Sequence, residues 1–142
     1  VMNTVEYLKQ LRYINTVIKQ KLNEQKELED RIYNVPVNDY SRLKVKTSNK
    51  PSYDLITKFI NESALLSKEI AEYENKRKHI VSEIRQLHKT EYVEVLYKRY
   101  VEFKNFDIIA AEMKYSKSNI WKIHRKAIKD FEKLVVNYSK RE

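Results

Sequence analysis

Residues 56–87 read ITKFINESALLSKEIAEYENKRKHIVSEIRQL. Within this stretch Ile56, Phe59, Ser63, Leu66, Ile70, Tyr73, Arg77, Ile80, Ile84 and Leu87 follow one another in a strict alternation of three and four residues. Eight of these ten slots are apolar. A strand would repeat every second residue, whereas a stripe held at this period over about nine turns is a coiled-coil seam. The stretch predicts a long helix beginning near Ser52 and running to residue 88. Ser52, just after Pro51, is the expected N-cap, and Asp54 in the first turn complements the helix dipole.

Working outward, Val5, Leu8, Leu11, Ile14, Ile18, Leu22, Leu28 and Ile32 recur mostly three or four apart between charged residues. They predict an amphipathic helix over about 3–34. Between the two helices lie Pro36, Asn38-Asp39, Ser48-Asn49 and Pro51, which mark residues 35–51 as a loop. Two helices of about 45–50 Å each pack most simply as an antiparallel hairpin, giving a first domain over 1–89. Such a hairpin reads first as a spacer or an oligomerisation element. It can bury its seam within one chain, so a homo-oligomer is left open.

Composition agrees with an all-α fold. The 142 residues include no glycine, no cysteine and two prolines. Phosphate-cradling loops need glycine for close backbone approach, and tight hairpin turns lean on it too, so nucleotide-binding α/β enzymes and small β proteins are disfavoured. An A+T-rich codon slant is a second cause of the missing glycine. Without cysteine there is no disulfide scaffold and no thiolate metal site. No apolar run is long enough to span a membrane and no signal-peptide core is present. The expectation is a soluble protein of a bacterial cytoplasm with no membrane partner. Val1 ahead of Met2 reads as a processing remnant.

Beyond Lys89 the pattern breaks into shorter units, a second domain over 90–142. Thr90 is placed to cap a helix reaching about Phe103, with Tyr92, Val93, Leu96, Tyr97 and Tyr100 on its apolar face. Lys104-Asn105 makes a turn, and Phe106–Met113 forms a two-turn helix with Ile109, Ala110 and Met113 inward. After Lys114-Tyr115 a further helix starts at Ser116, its apolar side carrying Ile120, Ile123, Ala127, Ile128, Phe131 and Leu134. Two helices joined by a three-residue turn, the second one basic, describe a helix-turn-helix.

Charge singles out that second helix. The chain has 29 Lys+Arg against 20 Asp+Glu, a formal net charge of +9. Six cations (Lys114, Lys117, Lys122, Arg125, Lys126 and Lys129) and no acid fall between 114 and 129. Such a helix attracts a polyanion. Opposite its apolar stripe it presents Lys117, Ser118, Asn119, Trp121, Lys122, Arg125 and Lys126, side chains able to reach base edges or phosphates of double-stranded DNA. The rival reading is a solvated face of an ordinary surface helix.

The stretch from Val93 to Leu134 resembles the region-four domain of bacterial sigma factors. The resemblance rests on Ile109-Ala110, the turn at Lys114-Tyr115, the Ser116 cap, Ile120, Ile123 and Ala127-Ile128. It implies DNA contacts at Lys117, Ser118, Asn119, Trp121 and Lys122, with Arg125 toward a phosphate; the Ser116 cap and Lys126, a further phosphate candidate, complete the expected DNA-binding set. The family usually has glycine in the turn, where φ is positive; this chain has Lys114, at a cost of about 1 kcal/mol. Trp121 stands where a cation is usual, and either stacks on a sugar-phosphate edge or packs against the hairpin. Hairpin and C-terminal domain together resemble small phage-encoded transcriptional regulators of Gram-positive hosts, of the autolysin regulatory protein (ArpU) and late-gene type. That likeness implies control of late phage genes, with RNA polymerase or a second copy as the hairpin's partner. The alternatives are a DNA-packaging recognition subunit like a small terminase, and a protein-binding adaptor that contacts polymerase.

Other chemistry finds little support. His79 and His88 lie nine residues apart without metalloprotease spacing, and His124 is expected on the flank of the basic helix facing solvent or a phosphate. Glu69, Glu72 and Glu74 sit beside Lys68, Lys76 and Arg77 as ordinary helix-surface charges. No nucleophile and base are arranged together. The expectation is a protein that is not an enzyme, with no catalytic residue, no cofactor and no metal.

Overall fold

The computed structural model describes residues 3–33 and 51–141. Every element among them is helical: α1 (Thr4–Tyr33), α2 (Pro51–Ile84), α3 (Thr90–Leu96) running on into a π turn (Tyr97–Val101), α4 (Phe106–Met113) and α5 (Lys117–Arg141). The fold class is all-α, as the seam and the composition predict. The expected loop over 35–51 falls almost wholly on 34–50, outside the described residues.

Helix ends show where local chemistry refines the sequence pattern. Asn3 caps α1, its Oδ1 accepting the Glu6 N–H at 2.9 Å. Ser52, the N-cap expected from the sequence, lies inside α2, which opens at Pro51; proline suits a first helical turn because its φ is preset and the N–H it lacks would have no helical partner. The same helix stops at Ile84 rather than 88. There the Gln86 and Leu87 N–H groups donate to Glu83 and Ile84 carbonyls three residues back, a tightening that turns Leu87 inward to 7% exposure. Thr90 also proves to be the first helical residue and not a cap; Lys89, with extended φ −118°, holds the cap position and makes no side-chain cap bond.

The chain divides into two compact units, one made of Val1–Asn15 with Asn75–Glu142, the other Thr16–Glu74. In the second unit α1 and α2 run side by side in opposite directions. Lys21 Nζ pairs with Glu69, while Gln25 Nε2 donates to the Ser63 carbonyl at 3.0 Å. Leu28 and Ile70 are buried there, but Leu22, on the expected apolar stripe, is 48% exposed and Ile56 38%. One neighbouring helix covers only part of a helix circumference, so the stripe's margins stay in water.

The first unit holds the main core. Leu8, Leu11, Ile84, Val95, Leu96, Ile109, Ile120 and Phe131 are each less than 2% exposed. Both α3 and α4 pack on α5. Tyr92 and Tyr100 belong to this core, as their places on apolar stripes predict. Among the described residues its one buried charged side chain is Glu83, 5% exposed, which accepts a hydrogen bond from Tyr7 Oη and has His79 Nε2 at 3.5 Å. Burial, then the Glu83 hydrogen bond, push the Tyr7 phenol well above its ordinary value. In the turn after α2, the His88 N–H donates to Asp130 Oδ2 of α5 at 3.1 Å, and His88 Nδ1 lies 2.9 Å from Oδ1. This pairing ties the end of α2 to α5.

Candidate nucleic-acid interface

Three local devices build the α4–turn–α5 segment. Asn105 caps α4, its Oδ1 accepting the Ile108 N–H at 2.9 Å, and Asp107 follows in the first turn. At the other end Lys114 adopts the left-handed conformation, φ 59° and ψ 40°. The Tyr115 N–H then donates to the Ala110 carbonyl at 3.0 Å and the Lys114 N–H to that of Ala111 at 3.4 Å. This is a Schellman ending with lysine in the position glycine usually takes, with the positive φ that the resemblance to sigma region four implies there. Ser116 next accepts the Asn119 N–H on its Oγ at 3.1 Å, the expected cap, and α5 begins at Lys117.

On α5 the inward side is Ile120, Ile123, Ala127 and Phe131, all buried. Ser116, Lys117, Ser118, Trp121, Lys122, Arg125 and Lys126 are exposed, and Asn119 is half-buried. Lys114 and Lys129 are exposed as well. Lys117 pairs with Asp107 of α4 at 3.1 Å, both side chains mostly in water, so one of the expected phosphate contacts already has a carboxylate beside it. Among the described residues no ion pair engages Lys122, Arg125, Lys126 or Lys129.

The cations before α4 are placed differently. Glu112 receives Lys104 Nζ at 2.7 Å and Lys98 Nζ at 2.6 Å, and Glu102 lies 2.9 Å from Lys104. Hydrogen bonds from Lys104, then Lys98, hold the Glu112 carboxyl below its ordinary range. Charge in this part of the unit is internally compensated, whereas Lys122, Arg125, Lys126 and Lys129 on α5 have no ion-paired acid among the described residues.

Behind the row lies an aromatic cluster that the sequence did not reveal. Trp121 stacks on Phe106 with ring centroids 4.2 Å apart, and the Arg99 guanidinium caps Phe106 at 4.6 Å from its centroid. His124 meets Phe106 edge-on at 5.0 Å, and its Nε2 lies 2.8 Å from Tyr100 Oη. Two expectations change here. Trp121 packs on the first residue of α4 instead of the hairpin and keeps 46% of its surface exposed. His124 turns inward to a half-buried position rather than facing solvent or phosphate, because a four-membered ring cluster offers it more apolar contact than the flank does. Burial, then the Arg99 charge, lower its pKa to about 4, so the ring is neutral near pH 7 and shares a single hydrogen bond between Nε2 and the Tyr100 hydroxyl.

The π turn helps to assemble this cluster. The Glu102 N–H reaches back five residues to the Tyr97 carbonyl at 3.0 Å, and Phe103 takes a positive φ of 60°. The widened turn carries Arg99 and Tyr100, the two residues that touch Phe106 and His124. No pattern announces it, since the buried set Tyr92, Val95, Leu96, Tyr100 and Val101 fits a plain α-helix equally well.

Among the described residues no group of three or more His, Cys, Asp or Glu side chains could hold a metal ion, and no helix is long and apolar enough to cross a membrane. The chain matches no protein-family model, no curated protein and no solved structure.

Proposed function

We propose that the chain is a sequence-specific DNA-binding transcription regulator that sets the N-terminal turns of α5 into a major groove. The observation that carries this reading is the row on α5: exposed Lys122, Arg125, Lys126 and Lys129, free of acidic partners among the described residues, follow a serine-capped helix start joined to α4 by a three-residue turn. Cations set against phosphates release the counterions condensed on the DNA, and side chains in the first turns of the recognition helix are those that reach base edges in helix-turn-helix proteins. Ser118, Asn119 and Lys122 are assigned to base edges; Lys117, Arg125 and Lys126 to phosphates. The likeness of residues 93–134 to sigma region four supports the same surface, and the resemblance to phage regulators points to late genes. RNA polymerase or a second copy of the chain is the partner proposed for the α1–α2 pair.

Titration of the full chain against a duplex at salt from about 50 to 200 mM tests the reading. The three phosphate contacts assigned above predict a slope of log K against log salt of about −2.7. The Lys122→Ala/Arg125→Ala variant should bind at least tenfold more weakly, with a slope shallower by about 1 unit from the lost Arg125 contact. Salt-independent binding, or a double variant as tight as wild type, would instead favour the protein-binding adaptor. A ring-sized assembly in solution would favour the packaging subunit.

A further inference from the structure

The aromatic at the centre of the cationic row has a chemistry of its own. Trp121 lies one helical turn after Lys117 and one before Arg125, so the three share a face of α5. One ring face is covered by Phe106 at 4.2 Å, itself backed by Arg99 at 4.6 Å. Close to half of the indole surface nevertheless remains in water. Core packing on α4 accounts for the covered face only.

We infer that Trp121 is a thymine-reading residue, its exposed indole meeting the C5-methyl group in the major groove; the inference rests on the DNA-binding reading above and names the base chemistry of that surface. The indole presents carbon surface and a single N–H donor, with no acceptor to pair with a base amine. In the major groove the apolar group on a base edge is the thymine methyl. The Phe106–Arg99 layers hold the ring in place before DNA arrives, which spares the ordering cost that a free side chain would bear. Intercalation would require leaving that stack, while contact with a methyl along the groove does not. The neighbouring cations hold the phosphates on either side and bring the ring to the depth of the bases.

The test uses the full chain, a 30-base-pair duplex of A·T pairs in mixed order, and the same duplex with deoxyuridine in place of every thymidine. Wild type should bind the thymine duplex more tightly, by about fourfold for each methyl contacted, with similar salt slopes on both. Trp121→Gln should abolish the preference and leave the slope unchanged, and Trp121→Phe should retain part of it. The chain has one tryptophan, so the wild-type emission is a second readout that does not depend on any variant folding. It should shift to the blue with the thymine duplex and less with the uracil duplex. Equal affinity for the two duplexes, equal emission shifts, or a preference that persists in a folded Trp121→Gln would overturn the inference while leaving the DNA-binding reading standing. Absence of salt-sensitive binding to either duplex would overturn both.

Discussion

A neutral histidine against Tyr100, Phe106 and Trp121 makes the seating of α5 sensitive to acid. His124 has an ordinary pKa of 6.5 and a folded one of about 4. The unfolded chain therefore binds the proton more readily, and stability is full above pH 6.5 and declines as pH falls toward 4. Because the ring keeps part of its surface in water, the loss should be about 1–2 kcal/mol, below the full linkage value. Thermal unfolding at steps between pH 7 and 4 should show it, and His124→Phe should flatten that part of the profile. An unchanged slope in the variant would assign the acid sensitivity to carboxylates such as Asp130. There burial pushes the carboxyl up, and the His88 N–H and ring outweigh it, holding it below its ordinary value; its loss belongs to a lower pH window. Tyr7 works at the opposite end of the scale. Its raised phenol pKa keeps the donor to Glu83 in place until strongly alkaline pH.

Single elements show what a pattern of residue types can and cannot convey. Lys114 sits at φ 59°, where a Cβ is unfavourable and glycine is not. Lys114→Gly should raise stability by about 0.5–1 kcal/mol through the Schellman ending, read as a higher midpoint in urea. It should also weaken duplex binding slightly, since a cation leaves the edge of the basic row. A loss of stability would mean that the lysine side chain contributes more than its backbone strain costs. This positive φ could be anticipated because the sigma region-four turn that the sequence resembles usually has glycine there. So could the 3–4 period of α1 and α2, the Phe106–Met113 boundaries and the Ser116 cap, all of which are local in chain and chemistry. The positive φ of Phe103 and the π turn were not legible, since one inserted residue leaves the spacing of buried positions within ordinary helical variation. The Phe106–Trp121–His124 cluster was hidden for another reason. It joins Phe106 to Trp121 and His124, fifteen and eighteen residues further on, and aromatic residues on helix flanks carry no sign of which neighbour they will meet.

At the scale of the whole molecule, apolar surface and charge are unevenly shared between the two units. In the unit Thr16–Glu74, Leu22, Ile60 and Leu65 are 48%, 54% and 56% exposed, and Tyr53 reaches 73%. The other unit buries most of its large aliphatic side chains, Ile108 and Val136 excepted, and puts cations outward on α5. A two-helix pair has only one interface to bury a stripe of residues, so a further layer is the ordinary way to finish such a core. A second copy of the same pair would complete a four-helix arrangement with a two-fold axis. It would also link two α5 helices, so that the second half-site of a duplex is met at a high effective concentration. The expected outcome is an apparent mass that rises with protein concentration between about 1 µM and 1 mM in sedimentation equilibrium. Ile60→Lys/Leu65→Lys should shift it to the monomer, because two charges placed at the joint cannot be desolvated without partners. The same variant should lose about 10–100-fold in affinity for a duplex with two sites and little for one with a single site. A wild-type chain that stays monomeric throughout this range would assign the exposed leucines to a different protein partner, with RNA polymerase the first to test.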